Sequence, residues 1–169
     1  MQITETKNLL LRLPEISDAA SIVKLMNQPD CVKYIGDRNI KNIEDAENYI
    51  TEKYLTLFKT YGFCLYIVCQ RESNTVVGLC GLIKREELED VDIGFAILTD
   101  YQGNGYVSEA AMAVKNHAFD TLGLKRLVGI TDKLNKGSIR VLEKIGMTFE
   151  NHLKLNNEDK EIKLYGLNA

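Results

Sequence analysis

An apolar run from Val91 to Leu98 leads into a turn containing Gly103 and Gly105, and a helical pattern then runs to about Leu122. Strand, glycine turn and helix in that order constrain this chain more than any other feature. The glycines let the backbone turn sharply and come close to a ligand. The first amides of the helix have no partners within it and carry partial positive charge. Such a helix start suits a phosphate, so the segment reads as a pyrophosphate cradle. The plainer reading is a tight strand-to-helix connection, which the same residues would also serve.

The rest of the chain supplies the setting for this turn. Leu9 to Leu13 reads as a first strand, stopped by Pro14. Ser17 and Asp18 are helix-start residues, and Ala19, Ile22, Val23 and Met26 form an apolar stripe up to Pro29. Residues 44–60 give a second helical pattern. Phe63 to Cys69 and Val76 to Ile83 are rich in β-formers, with a hairpin connection between them. In the strand from Val91 to Leu98, Val91, Ile93, Phe95 and Ile97 make a bulky face. Asp92, Gly94 and Ala96 make a small one. That small face leaves room for a ligand or for a closely packed helix. Ala110, Ala111, Val114, Ala118 and Leu122 share one helical face, and Gly123 is a natural stop. Then come a strand from Arg126 to Thr131 and a short helix from Lys136 to Lys144. Thr148 to Leu155 and Glu161 to Leu167 are final strands joined by a turn from Asn156 to Lys160. The expected fold is mixed α/β (α+β), with helices flanking a largely antiparallel sheet.

At 169 residues, without linker, repeat or low-complexity tract, residues 1–169 are expected to form one domain. A net charge of −3 and the lack of a long basic run argue against a nucleic-acid partner. The chain has no apolar stretch of about 18 residues and its first residues do not resemble a signal peptide, so a cytoplasmic, membrane-free protein is expected. Cys31, Cys64, Cys69 and Cys80 form no C-x-x-C pair and read as buried free thiols. Only His117 and His152 could assist them, so no metal site is expected.

A second segment, Asn135-Lys-Gly-Ser138, opens a helix directly after a strand and continues to Gly146. Together the two segments resemble the GNAT superfamily of N-acetyltransferases, in particular the branch that includes ribosomal-protein N-terminal acetyltransferases. Ile93-Gly-Phe-Ala-Ile-Leu98 is similar to the family's fourth strand, and Gln102 and Gly105 occupy its Q/R-x-x-G-x-G/A segment. Val107 stands where Gly or Ala is usual. Asn135, Ser138 and Leu142-Glu-Lys-Ile-Gly146 match the later N-x-x-S…L/V-E-K-x-G pattern, and Leu9-Leu-Leu-Arg-Leu13 fits the first strand. The likeness covers essentially the whole chain.

The resemblance implies acetyl-CoA as donor and a splayed central strand pair that admits pantetheine. It assigns cofactor contacts to Ile97, Leu98, Gln102, Gly103, Asn104, Gly105, Tyr106, Val107, Ser108 and Asn135. The Leu98 amide is expected to polarise the thioester carbonyl. An amine would attack directly in a ternary complex, with no acyl-enzyme. Asp92 is the first candidate base, acting through water, or else a surface or substrate-positioning acid. Ser138 would hydrogen-bond the departing thiolate and relay a proton, or else cap its helix. Asn135 would contact pantetheine or cap the same helix, and Glu109 would favour the helix dipole. The acceptor is expected to be a peptide or protein α-amine. A polyamine or aminoglycoside, or a non-catalytic acyl-CoA sensor, is the alternative. The protein is expected as a monomer or homodimer.

Overall fold

A computed structural model describes residues 1–155 and 160–169. The expected turn from Asn156 to Lys160 lies outside the described residues except for Lys160. The strands are β1 (Gln2–Glu5), β2 (Leu9–Arg12), β3 (Leu65–Gln70), β4 (Val76–Ile83), β5 (Asp92–Ile97), β6 (Arg126–Asp132), β7 (Thr148–Leu153) and β8 (Ile162–Asn168). The helices are α1 (Ala19–Met26), α2 (Pro29–Tyr34), α3 (Ile43–Tyr49), α4 (Leu55–Tyr61), α5 (Tyr106–Asn116) and α6 (Lys136–Lys144). A π turn, Ile50–Tyr54, joins α3 to α4, so the expected helix over 44–60 exists with a widened middle. Two elements differ from expectation. β1 precedes the strand read as the first, and Pro29 opens α2 instead of only closing α1.

The strands form one sheet in the order β1-β2-β3-β4-β5-β6-β8-β7. Every pairing is antiparallel except β5 with β6, which are joined through α5 and run parallel. Along β4 and β5 the ladder runs from Gly78↔Ile97 to Ile83↔Asp92. Between β5 and β6 the register holds one pair, Asp92↔Val128, where the Val128 amide donates to the Val91 carbonyl at 3.0 Å. Beyond that pair the two strands diverge.

Alternation along the strands assigns the two faces. One carries Tyr66, Val68, Cys80, Phe95 and Ile97. Tyr106, Val107 and Ala110 of α5 border a narrow space with Val68, Cys80, Phe95 and Ile97 there. The other carries Ile67, Cys69, Val77 and Leu79, all buried. α1 packs on β4 on that side and is joined to α3. Asp92, Gly94 and Ala96 share this second face, and a Cβ at Gly94 would meet the side chains of Ile83 and Leu65. The small face of β5 is therefore filled near Gly94 by side chains of the strands beside it, Ile83 and Leu65, and not by the closely packed helix that its small residues also allowed.

The β4 glycines have another cause. A Cβ on Gly78 would lie 2.3 Å from the Ala96 carbonyl oxygen, and one on Gly81 2.1 Å from that of Cys64. Backbone crowding on β4 leaves no room for a side chain at either position. The four cysteines are buried and free.

Candidate active site

β5 and β6 run parallel, so the segments that follow them leave the sheet at the same end. The turn after β5 starts α5 and the turn after β6 starts α6. The glycine turn and the Asn135–Ser138 segment, far apart in sequence, therefore flank the open end of the splay. Ligands of sheets with parallel neighbours gather at this carboxyl end.

After Leu98 a 3-10 turn, Thr99–Tyr101, is closed by the Tyr101 amide donating to Leu98 and the Gln102 amide donating to Thr99. Gly103 (φ 82°) and Gly105 (φ 75°) are both left-handed. A Cβ at either would meet no atom within 4 Å, so backbone conformation and not crowding selects glycine here. Asn104 donates its side-chain amide to the Tyr101 carbonyl at 3.0 Å and braces the turn. Gly105 occupies the boundary position of α5, with no side chain capping the first turn. The amides of Tyr106, Val107 and Ser108 therefore lack intrahelical partners. Val107 is half-buried and lines the narrow space over the sheet beside Phe95 and Ile97.

Glu109, also in the first turn of α5, accepts hydrogen bonds from the Asn8 amide and the Asn8 side chain, both at 2.9 Å, and from the Thr6 hydroxyl. Partial burial opposes its ionisation, but these bonds outweigh burial and hold the carboxyl below its ordinary range. Its role is structural: it fastens the start of α5 to the β1–β2 turn. Tyr106 is fastened similarly, its hydroxyl accepting from Gln70 at 3.1 Å.

At α6, Asn135 is the cap, its Oδ1 accepting the Ser138 amide at 3.1 Å. Ser138 is therefore not the cap. Its hydroxyl is half-buried and has no hydrogen-bond partner among the described residues.

The Leu98 amide is not the free donor expected. It donates to the Val77 carbonyl at 2.8 Å and belongs to the β4–β5 ladder. In an antiparallel pair, successive residues direct their backbone groups to opposite edges. Ile97 and Phe95, on the same edge as Val91, point theirs toward β6, where the splay leaves the ladder without a partner strand. The N–H groups that face the gap are those of Phe95 and Ile97.

Asp92 lies at the other end of β5, at the apex of the splay. Ile97 lies five positions further along the chain, roughly 16 Å along a strand. Asp92 is 1% exposed, and both its oxygens lie 3.2 Å from Arg85 Nε. Burial pushes its carboxyl up to about 6, against the opposing pull of Arg85. Asp92 and Ser138 thus do not form one cluster, and a proton passing between an amine near Ile97 and Asp92 needs water in between.

One residue with a direct hold on the site was not legible in the sequence. Gln28, between α1 and α2, donates to the Ile97 carbonyl and accepts from Thr99. Of the histidines, His117 packs edge-on against Tyr66 and burial lowers its pKa, while His152 pairs with Glu161 at the surface.

The acetyltransferase (GNAT) domain family matches residues 8–148, and the chain belongs to that family. It is therefore an acyltransferase, an N-acetyltransferase that depends on acetyl-CoA. An uncharacterized N-acetyltransferase of Bacillus subtilis, YnaD, is 29% identical over 154 residues, covering 91% of this chain and 86% of its own. The crystal structure of a GNAT-family acetyltransferase from Bacillus anthracis superposes with a TM-score of 0.82 at 26% identity, covering 99% of this chain and 98% of that one. The apo structure of RimL, a ribosomal L7/L12 α-N-protein acetyltransferase, shares the fold, with a TM-score of 0.84 at 18% identity over 100% of this chain and 94% of that one. Among the described residues no helix is long and apolar enough to cross a membrane.

Proposed function

We propose that this enzyme acetylates the α-amine of a peptide or protein. The donor's pyrophosphate rests on the amides of Gly103 to Ser108, and pantetheine enters between β5 and β6 with Asn135 beside it. The residues present fit this group. The turn is left-handed at both glycines, the helix start carries no capping side chain, and the Phe95–Ile97 edge offers strand-like hydrogen bonds. The N–H of Ile97 meets the thioester carbonyl and stabilises the oxyanion as the amine attacks. One such fixed donor contributes about 2.7–4 kcal/mol to a transition state. Ser138 hydrogen-bonds the departing thiolate and relays a proton to it, and Asp92 draws the proton from the amine through water.

The pairing of Asp92 with Arg85 supports an α-amine over a polyamine. An α-amine has a pKa near 8 and a lysine-like amine near 10. A base of about 6 is the better match to the first. The four unpaired thiols suit a reducing compartment, in line with a cytoplasmic site of action.

An acceptor panel of peptides with free N-termini, polyamines and aminoglycosides, incubated with acetyl-CoA and read by product mass, tests the assignment. Acetylation at a peptide α-amine is the expected outcome. Acetylation of polyamines or aminoglycosides alone would overturn it.

A further inference from the structure

Gln28 is a buried carboxamide, 9% exposed, at the boundary of α2. Its Oε1 accepts from the Thr99 amide at 2.7 Å and from the Thr99 hydroxyl at 3.1 Å. Its Nε2 donates to the Ile97 carbonyl at 3.1 Å. A backbone N–H on one side and a carbonyl on the other fix which end of the amide is which. The nearby pair between Lys24 and Asp100 is exposed and adds little to this tie.

The clasp sits where β5 leaves its ladder. On the β4 side the Leu98 amide is held by Val77. On the gap side the β5–β6 register ends at Asp92↔Val128, so no strand holds Ile97 there. Gln28 supplies what the sheet does not. It also takes the Ile97 carbonyl, which shares an edge with the Ile97 N–H. With that carbonyl occupied, Ile97 presents a donor to the gap. Left free, its oxygen would lie beside any negative charge forming there.

We propose that Gln28 is a positioning residue, which fixes the Ile97–Thr99 backbone so that the Ile97 N–H meets the thioester carbonyl. This rests on the acetyl-transfer reading above. Gln28 touches neither substrate and acts through Ile97.

The test uses Gln28→Leu, which removes both ends of the clasp, and Gln28→Glu, which keeps the Thr99 contacts but loses the donor to Ile97. Three measurements are made on each: CoA affinity by calorimetry, kcat at saturating acetyl-CoA and peptide, and the infrared stretch of carbonyl-labelled acetyl-CoA bound without acceptor. The expected result is a kcat lowered roughly 10- to 100-fold, the scale of a small misplacement at a reacting group. CoA affinity stays within about threefold, since CoA has no acetyl carbonyl, and the downshifted band of the bound thioester moves back toward its free position. If Gln28→Leu does not fold, Gln28→Glu carries the test. A folded variant with an unchanged band overturns the proposal, as does a gain in CoA affinity, which would make Gln28 a placeholder displaced by cofactor. An equal loss of kcat and CoA affinity overturns it too, since the clasp would then merely hold the pyrophosphate turn. A wild-type enzyme that downshifts the band yet acetylates no amine in the panel, with the band restored in the variants, would sink the acceptor assignment and leave the clasp standing.

Discussion

Asp92 presents both carboxylate oxygens to one nitrogen of Arg85, at 3.2 Å each, from a position buried at the apex of the β5–β6 splay. The pair sets the expected pH dependence. A general base works when deprotonated, and the Asp92 carboxyl is raised to about 6, so kcat should rise with pH through about 6 and then level. Arg85 lowers that value, so Arg85→Gln should move the rising limb to higher pH. Asp92→Asn should cut kcat near neutrality, with recovery at higher pH as the amine loses its own proton. Initial rates across pH at saturating substrates check all three. Wild-type kcat with a raised acceptor KM in Asp92→Asn would make Asp92 a binding residue instead.

Replacing Gly103 and Gly105 together by Val should weaken CoA binding at least tenfold, read by calorimetry. Both glycines are left-handed, a conformation that costs an ordinary residue roughly 1–2 kcal/mol. No neighbouring atom would clash with the new Cβ atoms. The loss should therefore appear as a rearranged turn in a folded protein. Unchanged affinity in the folded double variant would show that the phosphates bind elsewhere.

The α6 start separates capping from chemistry. Asn135 caps and Ser138 does not, so Asn135→Ala should lower stability by about 1 kcal/mol in denaturant unfolding. Ser138→Ala should leave stability nearly unchanged while lowering kcat roughly 100-fold. Acetyl-CoA affinity should change little in the serine variant. A Ser138→Ala enzyme at full speed would send the search for the thiolate's partner elsewhere.

Asp18 should be costly to remove. It is 4% exposed, accepts two bonds of 2.8 Å from Arg12 and one of 2.7 Å from the Glu15 amide, and joins β2 to the start of α1. Breaking a buried pair from one side leaves a charge without its partner and costs about 3–5 kcal/mol. Asp18→Ala should show that loss in equilibrium unfolding. A change under 1 kcal/mol would mean that Arg12 finds water or another acceptor.

The central strands and α5 were legible because their periods are unambiguous and the glycines in the turns before and after the α5 segment mark positive φ. The helix starts after Gly105 and at Asn135 were legible for the same reason. β1 was not: Gln2–Glu5 is short, mostly polar and at the sheet edge, so its extended form comes from pairing with β2. Pro29 punctuates a helix end and a helix start equally well, and only packing reveals that it starts α2. The Leu98 amide faces β4 because the edge a backbone amide faces depends on ladder register, which side-chain pattern does not encode. Gln28 was invisible for a related reason. Its partners are backbone groups 69 and 71 residues away, and a backbone group leaves no mark on composition.

The bond set from Thr6 and Asn8 to Glu109 spans about a hundred residues of chain and ends on the first turn of α5. The opening hairpin is therefore a guy-line for the helix start proposed to carry the cofactor. Grafting a relative's first thirteen residues onto this chain would import a differently tensioned helix start, and the graft's mismatch would register as altered CoA affinity before it registered as misfolding. In engineering terms the hairpin and α5 are one exchangeable part: chimeras whose junction falls between them split it, and those that carry both across together keep it whole.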